Sequence, residues 1–324
     1  MPCYHPLKAY RLGGKTKNGK AVIKVVGNGK DKKPPHGIIE RLKVPCGQCI
    51  GCRLERSRQW AIRCVHEASL HQDNCFITLT YNEDNLPKDS SLVKKHYQLF
   101  MKRLRKKYGR GENGKGIRYF MCGEYGSQYS RPHYHACIFN HDFKDKEIYK
   151  ITDTGVNLYT SRELQKLWSD RKGNPLGYVT LGDVTFESAA YVARYITKKI
   201  NGKDSHLHYN EIDFATGELL RERIPEYTTM SKRPAIGKEW YEKFTEDTYK
   251  DDDVFMRGLR LKPPKYYDKL YELDNPENME KIKENRVKQF AQCAHDHTPE
   301  RLKTREHVKL KKAERLQRSY ENED

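Results

Sequence analysis

Arg131-Pro132-His133-Tyr134-His135-Ala136-Cys137-Ile138-Phe139 places two histidines, one residue apart, at the head of an apolar run. In a β-strand, residues i and i+2 point to the same face. Both imidazoles can therefore meet one ion, while Tyr134 faces the opposite way. Tyr125–Pro132, with Gly126 and Pro132, reads as a long loop. It joins this run to a preceding one, Ile117–Glu124, and so predicts an antiparallel hairpin. Across the hairpin, Glu124 reaches the face of His133 and His135. Two imidazoles and a carboxylate leave coordination positions open for water and phosphate oxygens. That set suits Mg²⁺ or Mn²⁺ and Lewis-acid catalysis. Alone, an H-x-H pair is more often two ordinary strand histidines, so it needs a second signal.

Tyr191-Val192-Ala193-Arg194-Tyr195-Ile196-Thr197-Lys198-Lys199 supplies that signal. On a helix, residues i and i+4 share a face, so Tyr191 and Tyr195 can both present a hydroxyl to one site. Lys198 lies on the same side. A phenol with a pKa near ~10 is a poor nucleophile unaided. A nearby cation or a polarised phosphate lowers its barrier. Taken alone, a Tyr/Val/Ile face packed on a sheet explains the segment. Beside the histidines, the chemical reading is favoured.

Outward from these two segments, Phe76–Tyr81 alternates and is β-rich, and Gly177–Val184 reads as another strand. Arg53–Gln72, Leu92–Tyr108, Ser161–Ser169, Ser188–Lys199 and Glu239–Tyr249 read as helices. Residues 1–45 read as basic loops around a short strand at Ala21–Val26. Little order is expected between Lys199 and Glu239. The sum predicts an α+β fold: an antiparallel sheet of about five strands, helices on one face and the histidine strand central. The sheet's other face would carry the metal site, closed over by the tyrosine helix. Domain limits are expected at 1–55, 56–270 and 271–324, the last a charged tail of helix or disorder. Residues 275–324 carry 12 basic and 10 acidic side chains, which leaves little to bury.

The 324 residues hold 62 Lys and Arg against 44 Asp and Glu. Nearly all the excess lies early: residues 1–120 carry 26 basic and 9 acidic side chains. A polyanion, and nucleic acid first, is the natural partner. Twenty-two tyrosines add aromatic faces that can stack on unpaired bases. No apolar run is long enough for a membrane helix. Met1-Pro2-Cys3-Tyr4-His5 lacks the apolar stretch of a secretory signal. Nine cysteines, an odd and uneven set, argue against a secreted disulfide scaffold.

Cys46-x2-Cys49-x2-Cys52 gathers three thiols, and a structural Zn²⁺ site wants four. Cys3 is the candidate fourth, with His5 and His36 as alternatives. An iron–sulfur cluster lacks any redox context here. Arg53 and Arg56 follow the cysteines and are candidate phosphate contacts. Arg131 beside the histidines, Lys199 after the tyrosine helix, and Lys232 and Arg233 in a loop are further candidates. Gly109–Gly116 lacks the Gly-Lys-Ser/Thr ending of a phosphate loop. A built-in helicase is not expected.

The three segments Phe76–Tyr81, Arg131–His135 and Tyr191–Lys199 resemble, in order, the motifs of HUH endonucleases. The closer resemblance is to replication initiators of microviruses, the gokushovirus branch above all. Cys46–Arg53, Gly123-Glu124-Tyr125-Gly126, Ser231-Lys232-Arg233-Pro234-Ala235-Ile236-Gly237 and Pro263–Tyr267 carry it, over roughly residues 1–270. The resemblance implies a metal-dependent nuclease and strand transferase. It would nick single-stranded origin DNA, stay on the 5′ end through Tyr191 or Tyr195, and later rejoin the ends. It also implies a host helicase and polymerase as partners and the bacterial cytoplasm as location. Rival readings are a plasmid initiator, a relaxase or a transposase of the same fold, or a non-enzymatic zinc-containing single-strand-binding protein.

Overall fold

The computed structural model describes residues 3–17, 21–27, 35–110, 114–126, 129–152, 155–194, 205–213 and 215–314. These form two compact units. One holds the residues up to Arg56 and those from Glu284 onward; the other is Ser57–Lys283.

In the first unit, β1 (Leu7–Lys15) lies between β2 (Ala21–Val25) and β3 (Ile38–Val44), both antiparallel to it. The sequence predicts only the strand at Ala21–Val26. Hydrophobic periodicity records burial, and in β1 only Ala9 is buried. A sheet that fills so little core leaves no pattern to read. Helix α1 (Ile50–Ala68) starts here and runs into the second unit.

The second unit is built on a seven-stranded, wholly antiparallel sheet rather than one of about five strands. Its strands enter in the order β4 (Asn74–Leu79), β5 (Arg118–Tyr125), β6 (Pro132–Phe139), β7 (Glu147–Ile151), β8 (Asn157–Thr160) and β9 (Val179–Gly182). A short pair follows, β10 (Asn210–Ile212) with β11 (Leu219–Glu222), and then β12 (Tyr227–Met230) completes the sheet. Across the sheet the order is β12-β5-β6-β4-β9-β8-β7. β4 holds the middle and the histidine strand β6 stands beside it. The additional strands are the edges, β12 on one side and the β7–β8 hairpin on the other. Every residue of β7 is exposed, so it carries no alternation that announces a strand.

Helices lie on both faces; besides the tyrosine helix expected over the second face, the helix that starts at Ile50 also packs there. On the first face lie α2 (Lys94–Tyr108) and α3 (Arg162–Leu167). Tyr97, Phe100, Met101 and Leu104 of α2 recur at helical spacing and pack on Ile77, Leu79, Tyr134, Ala136, Ile138, Val179 and Leu181. On the second face Ala61 and Cys64 of α1 join Ala189, Tyr191, Val192 and Ala193 of α4 (Phe186–Arg194) against Phe76, Phe120, Cys122, Cys137 and Phe139. All eight residues of β6 are buried. A strand covered on both sides reads as a continuous apolar run, and the run Ala136–Phe139 is that signature.

The remaining elements are α5 (Ser205–Tyr209), α6 (Lys238–Lys250), the β13 (Val254–Met256) and β14 (Leu259–Leu261) hairpin, and α7 (Lys265–Asp274). The charged tail forms α8 (Pro276–Gln292) and α9 (Pro299–Glu314). Among the described residues, no helix is long and apolar enough to cross a membrane.

Two predictions follow from the packing. Gly177 lies so close to the end of β4 that a Cβ would stand 2.3 Å from Thr80 O and 2.5 Å from Asn82 N. Both are backbone atoms that cannot swing away. Gly177→Ala is expected to cost about 1–3 kcal/mol in urea unfolding. Gly116→Ala, with open space at the Cβ position, is expected to be neutral or slightly stabilising.

His66 is buried, stacks on Trp240 at 3.4 Å between ring centroids and shares a 3.1 Å hydrogen bond with Tyr267 Oη. Burial pushes its pKa down to about 3. The unfolded chain therefore binds this proton below pH ~6.5 while the native state refuses it. Stability contributed by neutral His66 is lost as pH falls from ~6.5 towards 3. Between pH 7.5 and 5 the loss is about 2 kcal/mol, and His66→Gln is expected to flatten that part of the stability–pH curve.

Candidate functional site

The register of three strands builds the candidate site. Glu124 on β5 pairs with His133 on β6, and Cys122 with His135. On the other side of β6, Thr78 of β4 pairs with His135. Alternation puts Glu124, His133, His135 and Thr78 on the α1/α4 face. Tyr134 falls on the opposite face. There Val93 N donates to its hydroxyl at 2.8 Å, and Tyr81 Oη lies 3.0 Å away. Burial pushes the Tyr134 phenol up to about 12, so it stays un-ionised.

His135 Nδ1 lies 3.0 Å from Thr78 Oγ1 and its Nε2 3.0 Å from Glu124 Oε1. His133 Nδ1 lies 2.7 Å from Arg131 O. A carbonyl oxygen only accepts, so in neutral His133 the proton sits on Nδ1 and Nε2 is the basic nitrogen. The two rings are parallel within 1° and 6.2 Å apart between centroids. Parallel rings keep their donor atoms side by side rather than gathered at a point. Thr78 is the functional candidate that sequence reasoning missed. In the sequence Thr78 and Thr80 both alternate onto the face of Phe76, and only the pairing of β4 with β6 sets Thr78 against His135.

Tyr191 comes to this face on α4. Its ring stands edge-on to His135 at 5.0 Å and 86°, and is 3% exposed. The Arg194 guanidinium carbon lies 5.9 Å from the ring centre, close enough for a cation–π attraction. Helix α4 is tied to α1 by Ser57 Oγ donating to Ala190 O at 2.9 Å. Tyr195, Lys198 and Lys199 lie outside the described residues.

The basic candidates divide. Arg131 turns its guanidinium onto the Glu83 carboxylate and onto Tyr81 O at 2.8 Å. Lys232 and Arg233 are exposed on a segment whose backbone is held fast. Arg118 Nη2 donates to Pro234 O at 2.8 Å, Arg63 Nε and Nη2 donate to Ile236 O, and Gly237 N donates to Glu67 Oε2 at 2.7 Å. Glu67 in turn pairs with Arg118 Nε at 2.7 Å. Arg53 is half-buried and Arg56 exposed, both in α1 within the first unit.

The same unit contains Cys3, Cys46, Cys49 and Cys52, whose sulfurs all lie within 4.8 Å of one another. Among the described residues this is the group of His, Cys, Asp and Glu side chains gathered tightly enough to hold a metal ion. Backbone N–H groups point at the sulfurs: Cys46 N at Cys3, Gln48 N and Cys49 N at Cys46, and Tyr4 N at Cys49, at 3.3–3.4 Å. Burial raises the Cys46 thiol, but the N–H groups of Cys49 and Gln48 outweigh it and hold the thiol below its ordinary value. Burial pushes Cys3 and Cys52 up. Four sulfurs so placed can chelate a metal ion.

The family described as replication-associated protein ORF2/G2P matches residues 74–200, the span from β4 through α4. Replication-associated protein VP4 of Bdellovibrio phage phiMH2K is 37% identical over 238 residues, 72% of this chain and 69% of the relative. Replication-associated protein ORF2 of Spiroplasma virus 4 is 33% identical over 301 residues, 89% of this chain and 86% of the relative. Replication-associated protein ORF4 of Chlamydia phage 1 is 31% identical over 232 residues, 70% of this chain and 53% of the relative. No solved structure shows a significant match. With two relatives above 30% identity and matched over more than two thirds of their length, the chain belongs to the family of phage replication-associated proteins.

Proposed function

We propose that this chain is a replication initiator of the HUH type, and within it of the microvirus, gokushovirus-like branch. It nicks and rejoins single-stranded DNA at a phage origin through a 5′-phosphotyrosine link. Residues 56–270 would form the endonuclease domain, 1–55 a metal-stabilised basic segment and 271–324 an appended tail. The observation that carries the reading is Tyr191 standing edge-on to His135 on the face that also holds His133 and Glu124.

The donor types are those of a site for a divalent ion such as Mg²⁺ or Mn²⁺, two imidazoles and a carboxylate, all buried and on one face, although their donor atoms are not gathered as the four sulfurs are. Arg131 O fixes the proton of His133 on Nδ1, which leaves Nε2 as its donor atom. A divalent ion there supplies Lewis-acid polarisation of the scissile phosphate. The Oη of Tyr191 or Tyr195 attacks phosphorus as the phenol gives up its proton. The 3′ oxygen leaves with the bonding electron pair and takes a proton. One P–O bond forms and one breaks, so the link conserves bond energy and a later 3′-OH can reverse it without ATP. Two tyrosines allow two successive transfers. Lys198 would partner the phosphate or the phenol. Arg53, Arg56, Arg131, Lys199, Lys232 and Arg233 would hold flanking phosphates. Unwinding and synthesis would fall to a host helicase and polymerase, in the bacterial cytoplasm.

A labelled single-stranded origin segment from the same genome, incubated with the protein and Mg²⁺ or Mn²⁺, tests this on a denaturing gel. The expected result is a covalent adduct that mass spectrometry places on Tyr191 or Tyr195. His133→Ala or His135→Ala should lower its rate about 100-fold or more. Binding without any adduct, across metals and origin segments, would leave a non-enzymatic single-strand-binding protein.

The four cysteines are proposed to hold one structural Zn²⁺. Elemental analysis of the purified chain should find about one zinc per molecule, and Cys49→Ser should reduce it. Chelation should lower the melting midpoint by several degrees, because metal binding and folding are coupled.

A further inference from the structure

Tyr178 stands just ahead of β9 and is 69% exposed. Its backbone is held firmly. Thr80 N donates to Tyr178 O at 3.0 Å, and Asn82 N donates to Leu176 O at 3.1 Å. Gln165 Nε2 donates to Gly177 O at 2.7 Å. The Cα of Gly177 sits where no side chain fits, against the backbone of Thr80, Tyr81 and Asn82. An apolar ring on an anchored backbone, turned to solvent, contributes nothing to the core.

The sheet register locates that ring. Leu79 pairs with Val179, so the next pair brings Thr80 opposite Tyr178. Val179 and Leu181 are buried on the α2/α3 face. Alternation therefore puts Tyr178 and Thr180 on the other face, the one holding Thr78 and His135. Leu79 also pairs with Tyr134, which brings Thr80 level with His133, and His133 pairs with Glu124. One row thus crosses four strands: Glu124, His133, Thr80 and Tyr178. With strands ~4.8 Å apart, Tyr178 stands about 10 Å along this row from His133. A single strand with one phosphate at the histidines, running along this row towards β9, would bring a neighbouring base to the phenol.

We infer that Tyr178 is a base-stacking platform, which takes an unpaired nucleobase of single-stranded DNA beside the phosphate offered to His133 and His135. This rests on the nuclease reading above. It names the substrate contact on the side of the site away from β5. Stacking requires a flat ring and no charge. It is sequence-tolerant and is lost in a duplex, where both faces of each base are already stacked.

The test is fluorescence anisotropy with an end-labelled, mixed-sequence single strand of about 20 nucleotides. Tyr178→Ala is expected to raise Kd about tenfold, with the melting midpoint unchanged. Tyr178→Phe and Tyr178→Trp are expected to keep Kd within about twofold, because both retain a stacking face. Binding to the matching duplex should not change. A strand carrying one abasic position should weaken binding to the wild type at one register and not weaken Tyr178→Ala further. Equal affinities of the wild type and Tyr178→Ala for the intact strand would overturn the inference. So would a loss with Tyr178→Phe as large as with Tyr178→Ala, which would assign the contact to the hydroxyl. A folded wild type with no affinity for any single strand would instead overturn the nuclease reading on which the inference stands.

Discussion

Register is the constraint on which everything else in the second unit depends. Side chains alternate across a strand with a period of two, so a slip of one residue between β5, β6 and β4 exchanges their faces. His133 and His135 would then enter the aromatic layer of Tyr81, Tyr97 and Trp168, and Tyr134 would enter the site. The slip is resisted on both faces. Tyr134 is anchored by Val93 N and sits beside Tyr81 Oη, and Trp168 Nε1 donates to Thr80 O at 2.6 Å. On the other face Thr78, His135 and Glu124 hydrogen-bond in sequence. Each of these groups would be left buried and unsatisfied in the wrong register, at a cost of about 1–3 kcal/mol apiece.

Buried polar groups also explain how the Ser231–Gly237 segment is held. It has no regular structure of its own to satisfy its backbone. Arg63, Glu67 and Arg118 supply the missing partners. Glu67 is almost fully buried and receives both an ion pair and a backbone N–H, which is what makes a buried carboxylate tolerable. Gly237 adopts positive φ, and a Cβ there would meet Tyr267 Oη at 2.6 Å. Glycine is therefore required by conformation and by space. The segment ends as a rigid loop with Lys232 and Arg233 exposed.

The first unit relies on different physics. Its sheet buries little, and its sulfur cluster does what a core does elsewhere: it draws Cys3, at the start of the chain, to Cys46, Cys49 and Cys52 at the head of α1. His5, two residues beyond Cys3, lies 2.7 Å from Glu306 of α9. Helix α9, most of whose residues are exposed, thus has a contact with the start of the chain within the same unit.

Local chemistry made much of this legible in the sequence. The β-rich Phe76–Tyr81, the H-x-H run, the spacing of Tyr97, Phe100, Met101 and Leu104, and the C-x2-C-x2-C block each record a short-range rule, and each falls in an element of the expected type. Strand β3, the β7–β8 hairpin and β12 were not legible, because edge and surface strands bury too little to leave a period. Nor was the packing of α1 beside the tyrosine helix on the second face, since an apolar run does not say what lies above and below it. Sequence spacing could bring His133 and His135 to one face. Only the pairing of strands distant in the chain decided that Thr78 and Tyr178 share it, because cross-strand neighbours are set by register and by nothing local.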